Sequence, residues 1–400
     1  MKSTIDQPEG KSKRVFWSLL FLVLAIMSIW AVTSQSKGFS PKKFLEYVKY
    51  SNPWWLAAAF LAMLAYIAFD AMRVRCLLRG FRYPRSAANC VSYAAADIYF
   101  SAITPSATGG QPMEAYFMVK DGVPVIMSTV IMLTYLFFYT LCIVIIGFVC
   151  LIFAPGAFLS FGVAGRIFIG VGAVIQVALA IFYGMLLWNK GMIHGILRWG
   201  LRVLAKLHIV RNLSEREAKL QTTMEQYERA TEMLKGHRAL MVKTLLLNMA
   251  HRVAQIMVTV FCFLAGGGSL KLAPKLFAMQ SDVVIGSCCI PIPGSMGVTD
   301  YLMIDGFSSM MTEQQSANLE LLARATSFYI CILLCGIIVL IKCAVLKFRK
   351  NEQAAAVSGA VEAETVSTVE AEAAKVIEAE TVNAVAEETA EIIEAETGTS

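Results

Sequence analysis

The sequence predicts an all-α, polytopic integral membrane protein, and three observations support this prediction. Of the 400 residues, 57% are hydrophobic and 16% are charged, whereas roughly a quarter of a soluble domain is charged. Six stretches reach about 20 residues with almost no charge, the length that a helix needs to cross ~30 Å of hydrocarbon. Two further apolar segments are interrupted by proline and glycine, which predicts broken or re-entrant hairpins. The six predicted spans are 15–33, 54–72, 125–153, 167–188, 244–264 and 320–341.

Basic residues predict the orientation of these spans. The segment after the second span contains five arginines and no acid, so the positive-inside rule places it in the cytoplasm. Cations before the first span and after the last one agree with this orientation. We therefore predict that both termini are cytoplasmic, that 1–14 precedes the membrane, and that 15–345 is the membrane domain. The cations are Arg73, Arg75, Arg79, Arg82 and Arg85, with Lys11, Lys13 and Arg14, and Lys342, Lys347, Arg349 and Lys350.

The longest polar segment, 189–243, holds eleven Lys/Arg and five Glu. Its first part, to Lys206, has the pattern of a basic amphipathic helix on a membrane surface. Its second part predicts a polar helix that ends near Leu234. Both belong on the cytoplasmic side.

The last part of the chain, 346–400, is acidic. Residues 351–400 contain twelve Glu and one Lys, with no aromatic residue to form a core, which predicts a disordered tail. A solvated tail without a specific role and a docking segment for a partner are both compatible with this composition.

The first break follows the segment 86–103 and has the sequence Thr-Pro-Ser-Ala-Thr-Gly-Gly-Gln-Pro. Prolines break the helix, glycines permit positive φ, and hydroxyls can satisfy the freed backbone groups. The orientation requires 86–120 to enter from the cytoplasm and return to it. Backbone amides at such a break can hold an anion, although a tight connector without a ligand would look the same. The candidate binding residues here are Thr104, Pro105, Thr108, Gly109, Gly110, Gln111 and Glu114.

A similar break follows 272–290, with the sequence Pro-Ile-Pro-Gly-Ser-Met-Gly. This hairpin begins and ends outside, and the count of spans leaves open whether it is re-entrant or fully spanning. The two halves of the chain then match in inverted order. An inverted repeat with interrupted helices is a recurring transporter plan, with the substrate site where the breaks meet. The candidates in this half are Pro291, Pro293, Gly294, Gly297 and Asp300, together with Arg252 and Arg324.

Charged residues within the apolar segments carry a large energetic cost. Each costs about 2.5–3.5 kcal/mol at the centre of a bilayer, so pairing is expected. We predict that Asp300 pairs with Arg324 or Arg252, and these ion pairs could bind a ligand or merely orient helices. Asp70 is expected to end its helix beside Arg73. The full set is Asp70, Asp97, Glu114, Arg252, Asp282, Asp300 and Arg324.

Catalytic and metal-binding motifs are missing from the sequence. It contains no P-loop, GxSxG or HExxH motif, no CxxC pair, and no His/Cys cluster with the spacing of metal ligands. We therefore predict no catalytic residues, no metal, no cofactor and no nucleic-acid partner. Membrane enzymes need none of these motifs, so enzymatic activity is disfavoured rather than excluded.

The two breaks resemble the membrane domain of lysylphosphatidylglycerol synthases, the multiple-peptide-resistance-factor proteins, and their flippase-like relatives. The resemblance rests on TPSATGGQPMEAYFMVKDG (104–122), PIPGSMGVTDYLM (291–303) and the following Arg324, and it covers roughly 15–345. It implies a bacterial plasma-membrane domain that moves aminoacylated phospholipid between leaflets and confers resistance to cationic peptides. Ser295 and Asp300 stand where the family usually has glycine and glutamate.

The leading hypothesis is therefore a lipid translocase for an anionic or lysyl-modified phospholipid. The basic cytoplasmic residues would gather the headgroup, and Glu114, Asp300, Arg252 and Arg324 would hold it. The family's large transferase domain is not in this sequence, so a separate synthase would have to make lysyl-phosphatidylglycerol. The alternatives are a membrane component of phosphatidylglycerol lysyltransferase, an enzyme or accessory subunit for polyprenyl-phosphate-linked substrates, and a scaffold acting through the tail.

Overall fold

The computed structural model describes residues 41–104, 108–206, 213–288, 295 and 297–349, and all regular structure in this part of the chain is helical. The predicted first span, 15–33, and nearly all of the predicted acidic tail lie outside the described residues. The described residues up to Val339 form one compact unit that contains the site below. A second unit begins at Leu340, and its described part, 340–349, is helical.

Five described helices are long and apolar enough to span a membrane, and each contains one of the predicted spans. They are α2 (Pro53–Gly80), α5 (Val125–Phe153), α7 (Val163–Trp188), α10 (Arg238–Ala265) and α13 (Glu313–Arg349). The remaining helices are α1 (Pro41–Tyr50), α3 (Ala87–Ile103), α4 (Gly110–Lys120), α6 (Pro155–Leu159), α8 (Lys190–Lys206), α9 (Leu213–Gly236), α11 (Ala273–Ser287) and α12 (Val298–Phe307). The prediction of an all-α, polytopic membrane protein is confirmed.

Helix α2 continues past Asp70 and is longer than its predicted span, so the expectation that Asp70 ends its helix was wrong. Its start is set by Asn52, whose side chain accepts from the Trp54 N–H at 3.0 Å, and by Pro53 in the first turn. The helix then continues to Gly80. Arg73, Arg75 and Arg79 consequently lie on a helix, so the prediction that they belong to a loop was wrong, while their cytoplasmic side stays a prediction.

Both predicted breaks separate two short helices. α3 and α4 flank the first break, and α11 and α12 flank the second. At ~1.5 Å per residue, α3 is about 25 Å long and α4 about 16 Å. The Thr104 hydroxyl donates to the Phe100 carbonyl at 2.6 Å and accepts from the Gly109 N–H at 2.9 Å. A hydroxyl at the break therefore satisfies freed backbone groups, as the sequence predicts.

Several helix contacts occupy corresponding places in the two halves of the predicted inverted repeat, which itself stays a prediction. Equivalent helices α2 and α10 make the most extensive helix–helix contact, and each hairpin packs against its own half, α3 on α2 and α11 on α10. Contacts between the halves also match. Gly147 of α5 packs against Ile285 of α11, and Gly336 of α13 packs against Tyr99 of α3. A glycine on a long helix thus receives the first hairpin helix of the opposite half at both places.

The described part of the polar segment between α7 and α10 forms two helices, α8 and α9, as predicted. Tyr227 of α9 donates from its hydroxyl to the Leu186 carbonyl of α7 at 3.0 Å. Arg198 and Arg202 are exposed on α8.

Candidate functional site

A buried arginine of α2 holds the first hairpin. The Nε and Nη2 of Arg73 contact Asp70 Oδ1 at 2.8 Å, and Nη2 lies 3.5 Å from Glu114 Oε1 of α4. The guanidinium stacks on the Tyr135 ring of α5 with 3.6 Å to the ring centroid. Arg73, Asp70 and Glu114 have no solvent exposure. Arg73 thereby ties three helices together.

A second buried arginine holds the second hairpin in the same way. Arg324 of α13 forms an ion pair with Asp300 of α12 and lies 3.3 Å from Glu320 of its own helix. Asp300 also accepts from the Gly297 N–H at 2.9 Å, which caps α12. A π-helical segment, Ala325–Ile330, begins directly after Arg324, and such segments are frequent at functional sites. The predicted pairing of Asp300 with Arg324 is confirmed.

A cavity of about 570 Å³ lies where the two breaks meet, within the usual range for small-molecule sites, ~300–1,000 Å³. The first break contributes Thr108 and Gln111, and the second contributes Ser295 and Thr299. The wall combines aliphatic side chains with polar and aromatic ones. Its charged residues are Asp97, Arg252 and Arg324; its further side-chain amides are Gln176, Gln255 and Gln280; and its tyrosines are Tyr66, Tyr135, Tyr139 and Tyr183.

Arg252 of α10 lines the cavity and, unlike Arg324, is not paired with a carboxylate of the described residues. Its guanidinium lies over the Tyr139 ring, 4.4 Å from the centroid, and donates to Gln255. Among the residues that the structure describes, no carboxylate forms an ion pair with it, and its buried Nη2 has no hydrogen-bond partner. Only 4% of Arg252 is exposed. A buried cation without a counter-ion beside a cavity predicts an anionic ligand.

Two side-chain amides in the same wall also have unused hydrogen-bonding capacity. Gln176 Oε1 and Gln280 Oε1 are buried and find no hydrogen-bond partner in the described part of the chain. Gln176 Nε2 donates to the Cys288 sulfur at 2.9 Å. Since unsatisfied buried polar atoms are rare and costly, these atoms together with Arg252 favour a polar ligand in the cavity.

A comparison with known protein families shows to which family the chain belongs. The family described as the lysylphosphatidylglycerol synthase TM region matches residues 15–335. The chain belongs to this family. A comparison with curated proteins found no significant match. The protein is therefore a multi-pass membrane protein related to lipid metabolism, and the resemblance seen at the two breaks is confirmed.

The charged residues that the sequence predicted to hold a headgroup do not all line the cavity. Arg252 and Arg324 line the cavity, but Glu114 and Asp300 do not; both carboxylates are buried against arginines. Neither carboxylate therefore faces the cavity, and a direct role of the two in holding a headgroup stays a prediction. Asp97 lines the cavity instead.

The remaining predicted residues divide between lining and packing. Thr108 and Gln111 line the cavity, while Thr104, Gly109 and Gly110 close the first break. A Cβ on Gly110 would collide with Asp97 and Ser101 of α3, so glycine permits the tight hairpin. Gly297 has φ +82° and starts α12. Pro105, Pro291, Pro293 and Gly294 lie outside the described residues.

Sequence reasoning missed Arg73 and Glu320 as members of the site, and it named Asp97 as an intramembrane charge but not as a candidate binding residue. Arg73 resembled a loop cation because it follows an apolar stretch and precedes four further arginines. The signal that could have identified it is the spacing Asp70–Arg73, three residues apart on one helix face. Glu320 and Arg324 have the equivalent four-residue spacing. In the described part of the chain, no group of three or more His, Cys, Asp or Glu side chains could hold a metal ion.

Proposed function

We propose that this protein is a lipid translocase that moves a phospholipid with a charged headgroup between the leaflets of a bacterial plasma membrane. The observation that supports it best is Arg252, a buried and unmatched cation in the cavity between the two hairpins. Within a lipid headgroup, the phosphate is the part that such a guanidinium binds most strongly. Charge-assisted hydrogen bonds to phosphate are short, and the planar guanidinium fits the arrangement of the phosphate oxygens.

The rest of the cavity suits the polar part of a lipid headgroup. Gln176 and Gln280 offer unused amide oxygens, which can accept from hydroxyl or ammonium groups. Asp97 supplies a carboxylate in the same wall, so an aminoacylated headgroup with both a phosphate and an ammonium finds partners for both charges. If the lipid is lysyl-phosphatidylglycerol, a separate synthase supplies it.

The packing of the two halves supports alternating access to this cavity. Each hairpin is held by one arginine and contacts the opposite half through one glycine. Matched elements of this kind permit one half to move relative to the other about a fixed site. The basic residues of α2 and α8 support cytoplasmic termini under the positive-inside rule.

Reconstitution in liposomes tests the proposal. The full chain is placed in vesicles that contain headgroup-labelled lysyl-phosphatidylglycerol, phosphatidylglycerol or a short polyprenyl phosphate, and exchange between leaflets is measured with a membrane-impermeant quencher. We expect rapid exchange of one of these lipids. Arg252→Gln should reduce the rate at least about tenfold, the effect of losing ~1.4 kcal/mol of binding, and Arg252→Lys should reduce it less.

The matched control is Lys271→Gln, which removes an exposed cation that does not line the cavity. It should exchange lipid at the wild-type rate. Exchange no faster than in protein-free vesicles, with all three lipids, would contradict the translocase proposal. Chemical conversion of a labelled lipid by the purified protein in detergent would instead support an enzyme or an accessory subunit of one.

A further inference from the structure

The cluster around Arg73 contains more negative than positive groups. Asp70 and Glu114 contact this single arginine, Asp97 lies close enough to interact with it electrostatically, and no other cation forms an ion pair with these carboxylates in the described residues. Asp70 and Glu114 have no solvent exposure, and Asp97 has 4%. The cluster therefore carries two more carboxylates than cations in a buried environment.

The distances show which carboxylate neutralises the arginine. Two nitrogens of Arg73 reach Asp70 Oδ1 at 2.8 Å, whereas Glu114 has one contact at 3.5 Å. Glu114 Oε2 is buried and has no hydrogen-bond partner among the described residues. Asp97 accepts from Ser101 at 3.4 Å and is hydrogen-bonded with Tyr135. Asp70 and Arg73 thus form the close ion pair, and Glu114 and Asp97 remain without a cation of their own in the described residues.

Two adjacent buried carboxylates cannot both remain charged at low cost. The effective penalty for burying one unpaired ion is several kcal/mol, and like charges that share a site favour protonation of one of them. Glu114 Oε2 has no hydrogen-bond partner among the described residues, so protonation of this carboxyl removes a buried charge without breaking a hydrogen bond at that oxygen. The groups facing this pair are Asp70 and Arg73 of α2, Cys90 of α3, Tyr135 of α5 and Cys335 of α13, and His251 of α10 faces Asp70.

The cavity gives access to this cluster at one point. Asp97 and Tyr135 line it, whereas Asp70, Arg73 and Glu114 do not. Asp97 is therefore the carboxylate of this cluster that a proton can reach from the cavity, whereas Glu114 is shielded from it. Asp97 lies on α3 and Glu114 on α4, so the proton changes the charge of the hairpin that Arg73 holds.

We infer that Asp97 and Glu114 form a proton-binding site, loaded from the cavity through Asp97, and that lipid translocation is coupled to this proton. The coupling rests on the proposed function; the proton site does not. The proton comes from water in the cavity and returns to it, and no other bond changes. Protonation weakens the attraction of the hairpin to Arg73, which links proton loading to movement of α3 and α4.

Vesicles with a pH gradient test the coupling. The full chain is reconstituted with headgroup-labelled phosphatidylglycerol or lysyl-phosphatidylglycerol, and the leaflet distribution is measured with and without a gradient of one pH unit. One coupled proton should bias the distribution by up to about tenfold per pH unit. Glu114→Gln, which leaves every residue that lines the cavity unchanged, should exchange lipid without this bias, and Glu114→Asp should retain it. Asp282→Asn, which removes another buried carboxylate outside the cavity, should keep the wild-type bias.

Infrared spectroscopy of the full chain in detergent tests the proton site without transport. Wild type should show a protonated-carboxyl band that changes with bulk pH and is altered in Asp97→Asn and in Glu114→Gln. Identical spectra in wild type and Asp97→Asn would overturn the proton site. Lipid exchange with the same leaflet distribution in the presence and absence of the pH gradient would overturn the coupling, while the translocase proposal would stand. If no lipid exchanges, both the translocase proposal and the coupling are contradicted. The spectra then test the proton site independently of transport.

Discussion

Arg73 and Glu114 lie 41 residues apart in the chain, and their side chains meet at 3.5 Å in the protein interior. Arg324 and Asp300 form the equivalent pair in the other half. In each half, one arginine bridges a carboxylate of its own helix and a carboxylate of the hairpin helix after the break. The hairpins are therefore attached by charge as well as by apolar packing, and this attachment can be tested residue by residue.

The two carboxylates of Arg73 should contribute unequally to stability. Asp70→Asn removes the close partner and leaves a buried arginine with one long contact, so we expect a loss of about 3–5 kcal/mol. Glu114→Gln keeps the Asp70 pair and should cost roughly 1 kcal/mol, a typical hydrogen bond. Thermal unfolding of both variants in the same detergent measures the order. A larger loss for Glu114→Gln would contradict this assignment of the ion pair.

Replacing Arg252 should reduce function without reducing stability. A buried cation without a counter-ion costs free energy in the folded state, about 2.5–3.5 kcal/mol on insertion scales. Arg252→Gln should therefore unfold at the same temperature as wild type or higher, while its lipid exchange falls. Arg324→Gln provides the contrast, because it leaves Asp300 and Glu320 unpaired and should unfold earlier. A marked loss of stability in Arg252→Gln would indicate a structural role.

Gly336 and Tyr99 should show coupled effects on stability. A Cβ at Gly336 would lie 2.9 Å from the Tyr99 ring, and overpacking of this kind typically costs about 1–3 kcal/mol. Gly336→Ala should lower the unfolding temperature, and the same change made in Tyr99→Leu should not. Gly170→Ala is the control, since a Cβ there meets nothing within 4 Å. Equal effects in both backgrounds would mean that the two halves do not meet here.

Gly297 should be sensitive because its backbone is left-handed. Its φ is +82°, and a residue with a Cβ in that region costs roughly 1–2 kcal/mol. Gly297→Ala should destabilise the protein and slow lipid exchange, since it shifts the N-terminus of α12 beside the cavity. Gly267→Ala imposes the same strain at φ +88° in open space. That variant should lose similar stability but keep its exchange rate, and slow exchange in both would contradict a local effect.

Tyr227 should make folding sensitive to alkaline pH. Burial raises its pKa to about 12 from an ordinary value of 10.0. Because the folded state favours the neutral phenol, this contribution is complete below pH 10 and is lost as the pH rises from 10 to 12. Tyr227→Phe should reduce that pH dependence and, by removing the hydrogen bond to Leu186, cost about 1 kcal/mol at neutral pH. Unfolding temperatures measured from pH 8 to pH 12 test both effects.

Hydropathy and helix breakers determined the class, the spans and the breaks of this protein. An apolar stretch such as 125–153 must form a helix in a membrane because its backbone polar groups have no other partners there. Prolines and glycines close together at 104–112 favour an interruption of the helix, because proline lacks the N–H that a helix interior needs and glycine has a low helix propensity. These are local properties of the chain, so the sequence alone was sufficient to predict them.

Only the tertiary structure decided which charges meet and which face the cavity. Arg73 could be a surface cation or a buried one, and the packing of α2 between α3 and α10 made it buried. Glu114 and Asp97 lie on one short hairpin, yet one sits behind Arg73 and the other lines the cavity. Such differences depend on helix rotation and on contacts between residues far apart in the chain, and no local pattern of residues specifies them.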